Sequence, residues 1–297
     1  MTAKQKRKTK KSLSGGLAML REVIDQLPPS EKKLATYILE QPDEAIHCTA
    51  NELGNLSSTS SAAVIRLCKS LGLKGLPELK LRISGDLHKA TEVENYRDIQ
   101  PGESQTSIVE KVTNNSLRAI TETTEFLNYE TLDQAVKALQ RASKIYLFGV
   151  GASGIIAQDA QQKFFRMNKA TSAFTDIHNA AMDIATVTKD DVVFGISFSG
   201  ETKETVKIME LAKRKGATTI SLTRYGNSSI VEHSDIHLYI SASREVPAPF
   251  RSGATSSRLA QLHMIDLLFV SVVTGNYEEA ALYLNEIKNA MEFLKQE

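Results

Sequence analysis

Between residues 144 and 240, short β-rich runs alternate with helix-length amphipathic segments, and this alternation constrains the chain more than any other feature. "KIYLFGVG", "ATSAF", "DVVFGIS", "TTISLT" and "SDIHLYI" read as strands. "IIAQDAQQKFFRM", "NAAMDIATV" and "ETVKIMELAKRKG" fall between the first four and read as helices, the last ending in glycine. Strands that alternate with helices predict a parallel sheet covered on both faces. "SSRLAQLHMIDLLFVSVV" and "EEAALYLNEIKNAMEFLKQ" read as closing helices. Ligands of such sheets sit beyond the carboxyl ends of the strands, so the loops leaving those ends are where function is expected.

Two of these loops are unusual in composition. "GVGASG", Gly149 to Gly154, matches G-x-G-x-x-G after a strand, with an acid, Asp176, about twenty residues further on, as a dinucleotide site requires. "ISFSGETKET", Ile196 to Thr205, places Ser197, Ser199, Thr202 and Thr205 around Gly200 where a strand hands over to a helix. Gly200 can take a positive φ and let the backbone approach a ligand. Hydroxyls and free N–H groups at a helix N-terminus make an anion site, and the helix dipole favours phosphate there. A helix cap by itself would need one hydroxyl, from Ser199 or Thr202, and not four. No Walker-type lysine accompanies the loop, which argues against a magnesium-bound triphosphate.

The first 90 residues have a different character. They carry 15 Lys/Arg against 9 Asp/Glu, a charge of +6, while the remainder holds 21 against 26, or −5. The excess is densest in "KQKRKTKK", Lys4 to Lys11, a basic tail that would add phosphate contacts beside a DNA-reading module. From Leu17 the pattern is helical. "PPSEKKLATYILEQP" has a Pro-Pro-Ser start with Ser30 as expected N-cap, and Pro42 is expected to close that helix. Residues 49–87 read as three short helices, with Thr49 capping the first and Ser60 the second. In "SAAVIRLCKSLG", Val64, Leu67, Cys68 and Leu71 form one buried stripe. Ser61, Ala62, Ile65, Arg66, Lys69 and Ser70 lie off it, and a helix with small residues at its entrance and bases along its open side suits a major groove. Gly72 stops this helix, and Lys74 follows it. The entrance carries no Gln, Asn or extra Arg, so the sequence does not name the bases read.

Composition excludes several classes. No apolar run reaches the 18 or so residues of a membrane span, and the basic N-terminus has no apolar segment behind it, so neither a membrane partner nor a signal peptide is expected. Cys48 and Cys68 are the only cysteines, too few for a disulfide framework or a zinc ligand set. His233, His237 and His263 show no metal-ligand spacing and read as scaffold. A cytoplasmic protein without metal or cofactor is expected.

"GVGASG" with Ser153, and "SFSGET" from Ser197 to Thr202, resemble the two phosphosugar-binding loops of the sugar isomerase (SIS) domain. "ELGNLSSTSSAAVIRLCKSLGLKGLPELK" resembles the N-terminal helix-turn-helix of the RpiR family of bacterial transcription regulators. "FRSGATSSRLAQLHMIDLLF" resembles that family's closing helix. The resemblance runs from about Leu17 to the end, with Gly54 and Ser58 standing where such motifs often carry alanine and glycine. It implies a helix-turn-helix domain followed by a doubly wound, flavodoxin-like SIS domain. The expected boundaries are 1–16 for the basic tail, 17–90 for the DNA-binding domain, 91–125 for a linker and connecting helix, and 126–297 for the SIS domain.

On this resemblance a phosphate would lie on Ser197, Ser199, Thr202 and the adjacent amides around Gly200. Gly151 and Ser153 of the first loop would meet it or the sugar hydroxyls. His178, just after the second strand, could bond a sugar hydroxyl or N-acetyl group. Glu245 stands in the region of the isomerases' catalytic glutamate, and Arg251 could bind phosphate. Ser60, Ser61, Ala62, Arg66, Lys69 and Lys74 are the expected DNA contacts.

The reading that covers both halves is a DNA-binding regulator of sugar or amino-sugar catabolism genes, a repressor and not an enzyme. Its expected effector is the 6-phosphate of N-acetylmannosamine, N-acetylglucosamine or N-acetylmuramate, since Asp176 and His178 could serve an N-acetyl group. Sugar isomerase domains commonly pair, so a homodimer or tetramer on double-stranded operator DNA is expected. A phosphosugar isomerase or lyase with a helical appendage would need Glu245 or His178 as general base. An oxidoreductase would use the glycine fingerprint instead.

Overall fold

A computed structural model of the chain describes residues 15–89, 99, 101–125, 127–241 and 255–295. The chain divides into two compact units, Met1–Asn95 with Thr124–Tyr129, and Tyr96–Thr123 with Glu130–Glu297.

The first unit is helical. α1 (Gly16–Val23) tightens into a 3-10 turn, and α2 (Pro29–Glu40), α3 (Pro42–Ala45), α4 (Ala50–Leu56), α5 (Ser61–Ser70) and α6 (Leu76–Lys89) follow. Ser30 is not the cap of α2. Pro28 occupies that position, and Pro29 begins the helix at N1, where its missing N–H would have had no partner anyway. Pro42 likewise starts α3 immediately after ending α2, with Gln41 between them at φ −130°. Thr49 caps α4 in a capping box: its hydroxyl accepts from the Glu52 N–H at 3.3 Å, and the Glu52 carboxylate accepts from the Thr49 N–H at 2.6 Å. Those bonds hold the Glu52 carboxyl below its ordinary pKa.

The turn between α4 and α5 explains the glycine at 54, one of the two departures from the usual motif. A side chain on Gly54 would put its Cβ 2.9 Å from the Ser60 carbonyl carbon and 3.0 Å from the Ser61 nitrogen, so the entrance of α5 lies directly on α4. Ser58 takes the left-handed conformation at φ 53°, and Ser57 Oγ donates to the Leu53 carbonyl at 2.6 Å. Ser60 caps α5 by accepting from the Ala63 N–H. Val64, Leu67, Cys68 and Leu71 are all buried. Gly72, at φ 62°, ends α5 with its N–H on the Lys69 carbonyl and that of Leu73 on Cys68, a Schellman closure. Burial pushes the Cys68 thiol up to about 11, so it behaves as a small core hydrophobe.

The second unit begins with α7 (Gln105–Glu125) and α8 (Tyr129–Arg141). α8 precedes the first strand, and its Leu132, Ala135, Val136 and Leu139 recur at helical spacing and all lie buried or half-buried. Then come β1 (Lys144–Phe148), α9 (Ala152–Phe165), β2 (Ala170–Phe174), α10 (Ile177–Ile184), β3 (Val192–Ile196), α11 (Lys203–Lys215), β4 (Thr218–Arg224) and β5 (Ile236–Ile240), with a 3-10 turn ahead of β5. α12 (Ser256–Gly275) and α13 (Tyr277–Phe293) close the unit.

All five strands are parallel, in the order β2-β1-β3-β4-β5, the flavodoxin-like arrangement. Tyr146, Phe148 and Val193 pack against α10 and α11 through Ala180, Ile184, Ile208, Met209 and Ala212. Because the crossovers are right-handed, reversing the winding direction after β2 puts α9 on the other face, where α12 packs on it. α12 is long and apolar enough to cross a membrane by length and composition alone. One face of it packs into the unit: Ala260, Met264, Ile265 and Leu268 are buried, and Asp266 pairs with Lys163 of α9 at 3.1 Å.

Candidate functional site

Strand order decides where the site lies. β1 and β3 are neighbours, with Phe148 opposite Gly195, while the chain leaves β1 towards β2 on one side and β3 towards β4 on the other. The glycine loop and the hydroxyl loop therefore open from adjacent strand ends at the topological switch point, where such sheets form a crevice.

The hydroxyl loop starts as an extension of the sheet: the Ser197 N–H donates to the Leu222 carbonyl at 3.1 Å, and the Arg224 N–H to that of Phe198 at 2.9 Å. Ser197 is buried. Its hydroxyl accepts from the Gly200 N–H at 3.2 Å and shares a 3.0 Å hydrogen bond with Thr202 Oγ1. Ser199 Oγ accepts from the Glu201 N–H at 3.1 Å, which leaves its own proton to donate outwards. Gly200 sits at φ +70°, and a Cβ there would lie 2.2 Å from Ser228 Oγ, so only glycine fits.

Thr202 occupies the N-cap of α11 without capping it; its hydroxyl pairs with that of Ser197, and when Ser197 donates, the Thr202 proton is left to donate outwards. The first intrahelical bond runs from Val206 N–H to the Thr202 carbonyl, so the N–H groups of Lys203, Glu204 and Thr205 have no acceptor within the helix. Thr205 Oγ1 and Ser228 Oγ are buried without a hydrogen-bond partner among the described residues. An uncapped helix start, two half-buried hydroxyls and orphaned polar atoms are groups whose hydrogen bonds an oxyanion would satisfy.

In the glycine loop each glycine has its own reason. A Cβ on Gly149 would meet the Ser153 carbonyl at 2.6 Å, and one on Gly154 would meet Thr175 Cγ2 at 2.5 Å; Gly151 turns at φ +59°. Ser153 is buried in the first turn of α9, beside a second helix start that carries no side-chain cap. Asp176, the acid of the dinucleotide alternative, accepts from the Asn179 N–H at 2.9 Å as the N-cap of α10. His178 is exposed in the first turn of α10, beyond the carboxyl end of β2. Glu245 and Arg251, like Lys4 to Lys11, lie outside the described residues.

Two partners were not evident beforehand. Ser228 fills the space beside Gly200, and Ser229 donates from its N–H at 2.9 Å and its hydroxyl at 2.6 Å to Glu201. The loop before β5 thus braces the hydroxyl loop and turns the Glu201 carboxylate onto Ser229. The serine pair "SS" after Asn227 was the only signal in the sequence. His237 sits 3.5 Å from Ser221 Oγ, its pKa lowered by burial and the nearby Lys213, and no group of three metal-ligating side chains occurs among the described residues.

On the helix-turn-helix, Ser60 accepts from the Ala63 N–H, Ser61 is half-exposed, and Ala62, Lys69 and Lys74 are exposed. Arg66 is also exposed, but its guanidinium reaches back to α2, with Nε 3.4 Å from Glu31 Oε1 and a terminal nitrogen 3.4 Å from Ser30 Oγ.

Comparison with known proteins agrees with both halves. Residues 14–90 match the model of the helix-turn-helix domain of the rpiR family, and residues 138–271 that of the SIS domain. The chain is 49% identical over 282 residues to a protein described as the uncharacterized HTH-type transcriptional regulator YbbH of Bacillus subtilis, covering 95% of this chain and 99% of that one. It is 41% identical to the uncharacterized HTH-type regulator TTE0211 of Caldanaerobacter subterraneus, over 94% and 98% of the two chains. Among solved structures it resembles the Vibrio vulnificus NanR protein complexed with ManNAc-6P, at a TM-score of 0.59 and 25% identity, covering 95% of this chain and 100% of that one. The chain belongs to the RpiR family, a helix-turn-helix domain joined to a SIS domain.

Proposed function

We propose that the chain is a repressor of sugar or amino-sugar catabolism genes that reads operator DNA through α4 and α5 and is controlled by a phosphorylated sugar at the β1–β3 crevice. The observation that carries this is the uncapped start of α11 behind Ser197, Ser199 and Thr202, on the same chain as a helix-turn-helix. A six-phosphate of an N-acetylated amino sugar fits: the phosphate takes the α11 start, Ser153 and Gly151 bound its flank, and His178 offers a donor to the sugar. Glu245 and Arg251 would complete the site from the loop before α12. On this reading the crevice works as a receptor and not as an enzyme, because the chain carries a helix-turn-helix and its relatives are described as transcriptional regulators. Boundaries at residues 17–90, 91–125 and 126–297 serve the same reading, with the basic tail adding phosphate contacts, in a cytoplasmic protein.

The full-length protein should be melted with N-acetylmannosamine, N-acetylglucosamine and N-acetylmuramate 6-phosphates and with the unphosphorylated sugars. A ligand at a hundred times its Kd adds about 2.7 kcal/mol, raising the melting temperature by roughly 5–10 °C for a domain of this size. Equal shifts with and without the phosphate would refute the anion site. A duplex selected from a random library should bind with a salt dependence that flattens by about one unit per phosphate contact when residues 4–11 are removed. Failure of the wild type to select any duplex would remove the DNA-reading role.

The same reading includes self-association. α13 buries Ala280 alone of its seventeen residues and leaves Tyr277, Leu282, Met291 and Phe293 exposed. A second copy covering this surface would remove the apolar exposure. Sedimentation at micromolar concentration is expected to give a dimer or tetramer; a monomer would exclude it.

A further inference from the structure

Glu31 has no evident reason to be where it is. It stands in the first turn of α2, only 3% exposed, in a unit whose other charges mostly face water. A buried carboxylate is retained only when paired and hydrogen-bonded. Its partners both come from α5: Ser70 Oγ donates to Oε2 at 2.8 Å, and Arg66 Nε lies 3.4 Å from Oε1. The start of α2 favours the negative charge through its dipole.

Arg66 and Ser70 are four residues apart, so they lie one turn above the other on the same side of α5. One carboxylate that grips both sets the rotation of α5 about its axis, which the apolar stripe of Val64, Leu67, Cys68 and Leu71 alone would allow to rock. With Arg66 and Ser70 turned to α2, the outward line of α5 is Ser61, Ile65 and Lys69. Ile65 on that line is 58% exposed.

We infer that Glu31 is a positioning residue for DNA reading: it holds α5 at the angle that presents Ser61, Ala62, Ile65 and Lys69, and Arg66 acts through it as an anchor. This rests on the DNA-reading role of α5 proposed above, and it moves Arg66 out of the set of direct DNA contacts.

A double-mutant cycle on the full-length protein separates anchor from reader. The probe is a duplex selected from a random-sequence library by the wild type. Glu31→Gln keeps an acceptor for Ser70 and removes the charge; Arg66→Met removes the guanidinium and keeps the stem. Each is expected to weaken binding about tenfold, and the double variant no further, because the two changes break one interaction. The slope of log K against log salt should be unchanged in all three, whereas Lys69→Met should lower it by about 0.9 and add to Glu31→Gln independently. Thermal unfolding confirms that each variant is folded at the temperature of the assay. Where Glu31→Gln is not, Ser70→Ala, which removes a single bond to Glu31, should weaken binding several-fold at unchanged slope. A loss of about a hundredfold in the double variant, or a slope reduced by Arg66→Met, would show Arg66 meeting DNA on its own and overturn the anchor assignment. Unchanged affinity in folded Glu31→Gln or Ser70→Ala would overturn it equally. A wild type that selects no duplex would instead defeat the DNA-reading role itself.

Discussion

Full-length protein carrying Ser199→Ala and Thr202→Ala together is expected to lose its affinity for the sugar phosphate while keeping its fold and its affinity for DNA. Each charge-assisted hydrogen bond from a hydroxyl to phosphate is worth roughly 1.5–3 kcal/mol, so the pair should cost on the order of a hundredfold to ten-thousandfold in Kd. Thr202 contributes twice, since its hydroxyl also holds the buried Ser197 at 3.0 Å. Ser199 is half-exposed and bonds only its neighbour's amide, so its replacement leaves the β3–α11 connection in place. The melting temperature without ligand should change by no more than a few degrees. Calorimetric affinity equal to wild type in a folded double variant would take the phosphate away from this loop.

Operator DNA is expected to change the affinity for the sugar phosphate, and by the same factor that the sugar phosphate changes affinity for DNA. A ligand shifts a conformational equilibrium only through a difference in its affinity for the two states, and linkage makes the effect reciprocal. Typical couplings of about 1–3 kcal/mol correspond to roughly 5–150-fold. The sheet is a poor site for the change, because β1, β3 and β4 are buried almost throughout and close-packed between helix layers. Titrating the effector with and without saturating selected duplex measures the factor. Identical affinities would mean that the crevice is no switch, and turnover of sugar phosphates would become the better reading of the same site.

Much of this arrangement is legible in single residues. Thr49 and Ser60 cap their helices as expected, and Gly72 ends α5, because capping depends on side chains within three residues of the backbone groups they serve. The cap at Ser30 fails for an equally local reason: Pro29 starts the helix two residues earlier than a Ser30 cap would require. α8 carries the same helical periodicity in Leu132, Ala135, Val136 and Leu139. His178 is exposed in the first turn of α10, just after β2.

What the sequence by itself determined is the alternation that makes a parallel doubly wound sheet, the two loops rich in glycine and hydroxyls, and the buried stripe of α5. These rest on periodicity and turn chemistry, which act over fewer than ten residues. The tertiary structure alone decided the strand order that sets Gly149–Gly154 beside Ser197–Thr202, the bracing of Glu201 by Ser229 across 28 positions, and the return of Ser70 to Glu31 across 39. Such contacts are chosen by how complete helices and strands pack, and an exposed arginine in a helical pattern looks the same whether it faces DNA or a buried carboxylate. Only the packing of α5 on α2 distinguishes them, because it puts that carboxylate within reach.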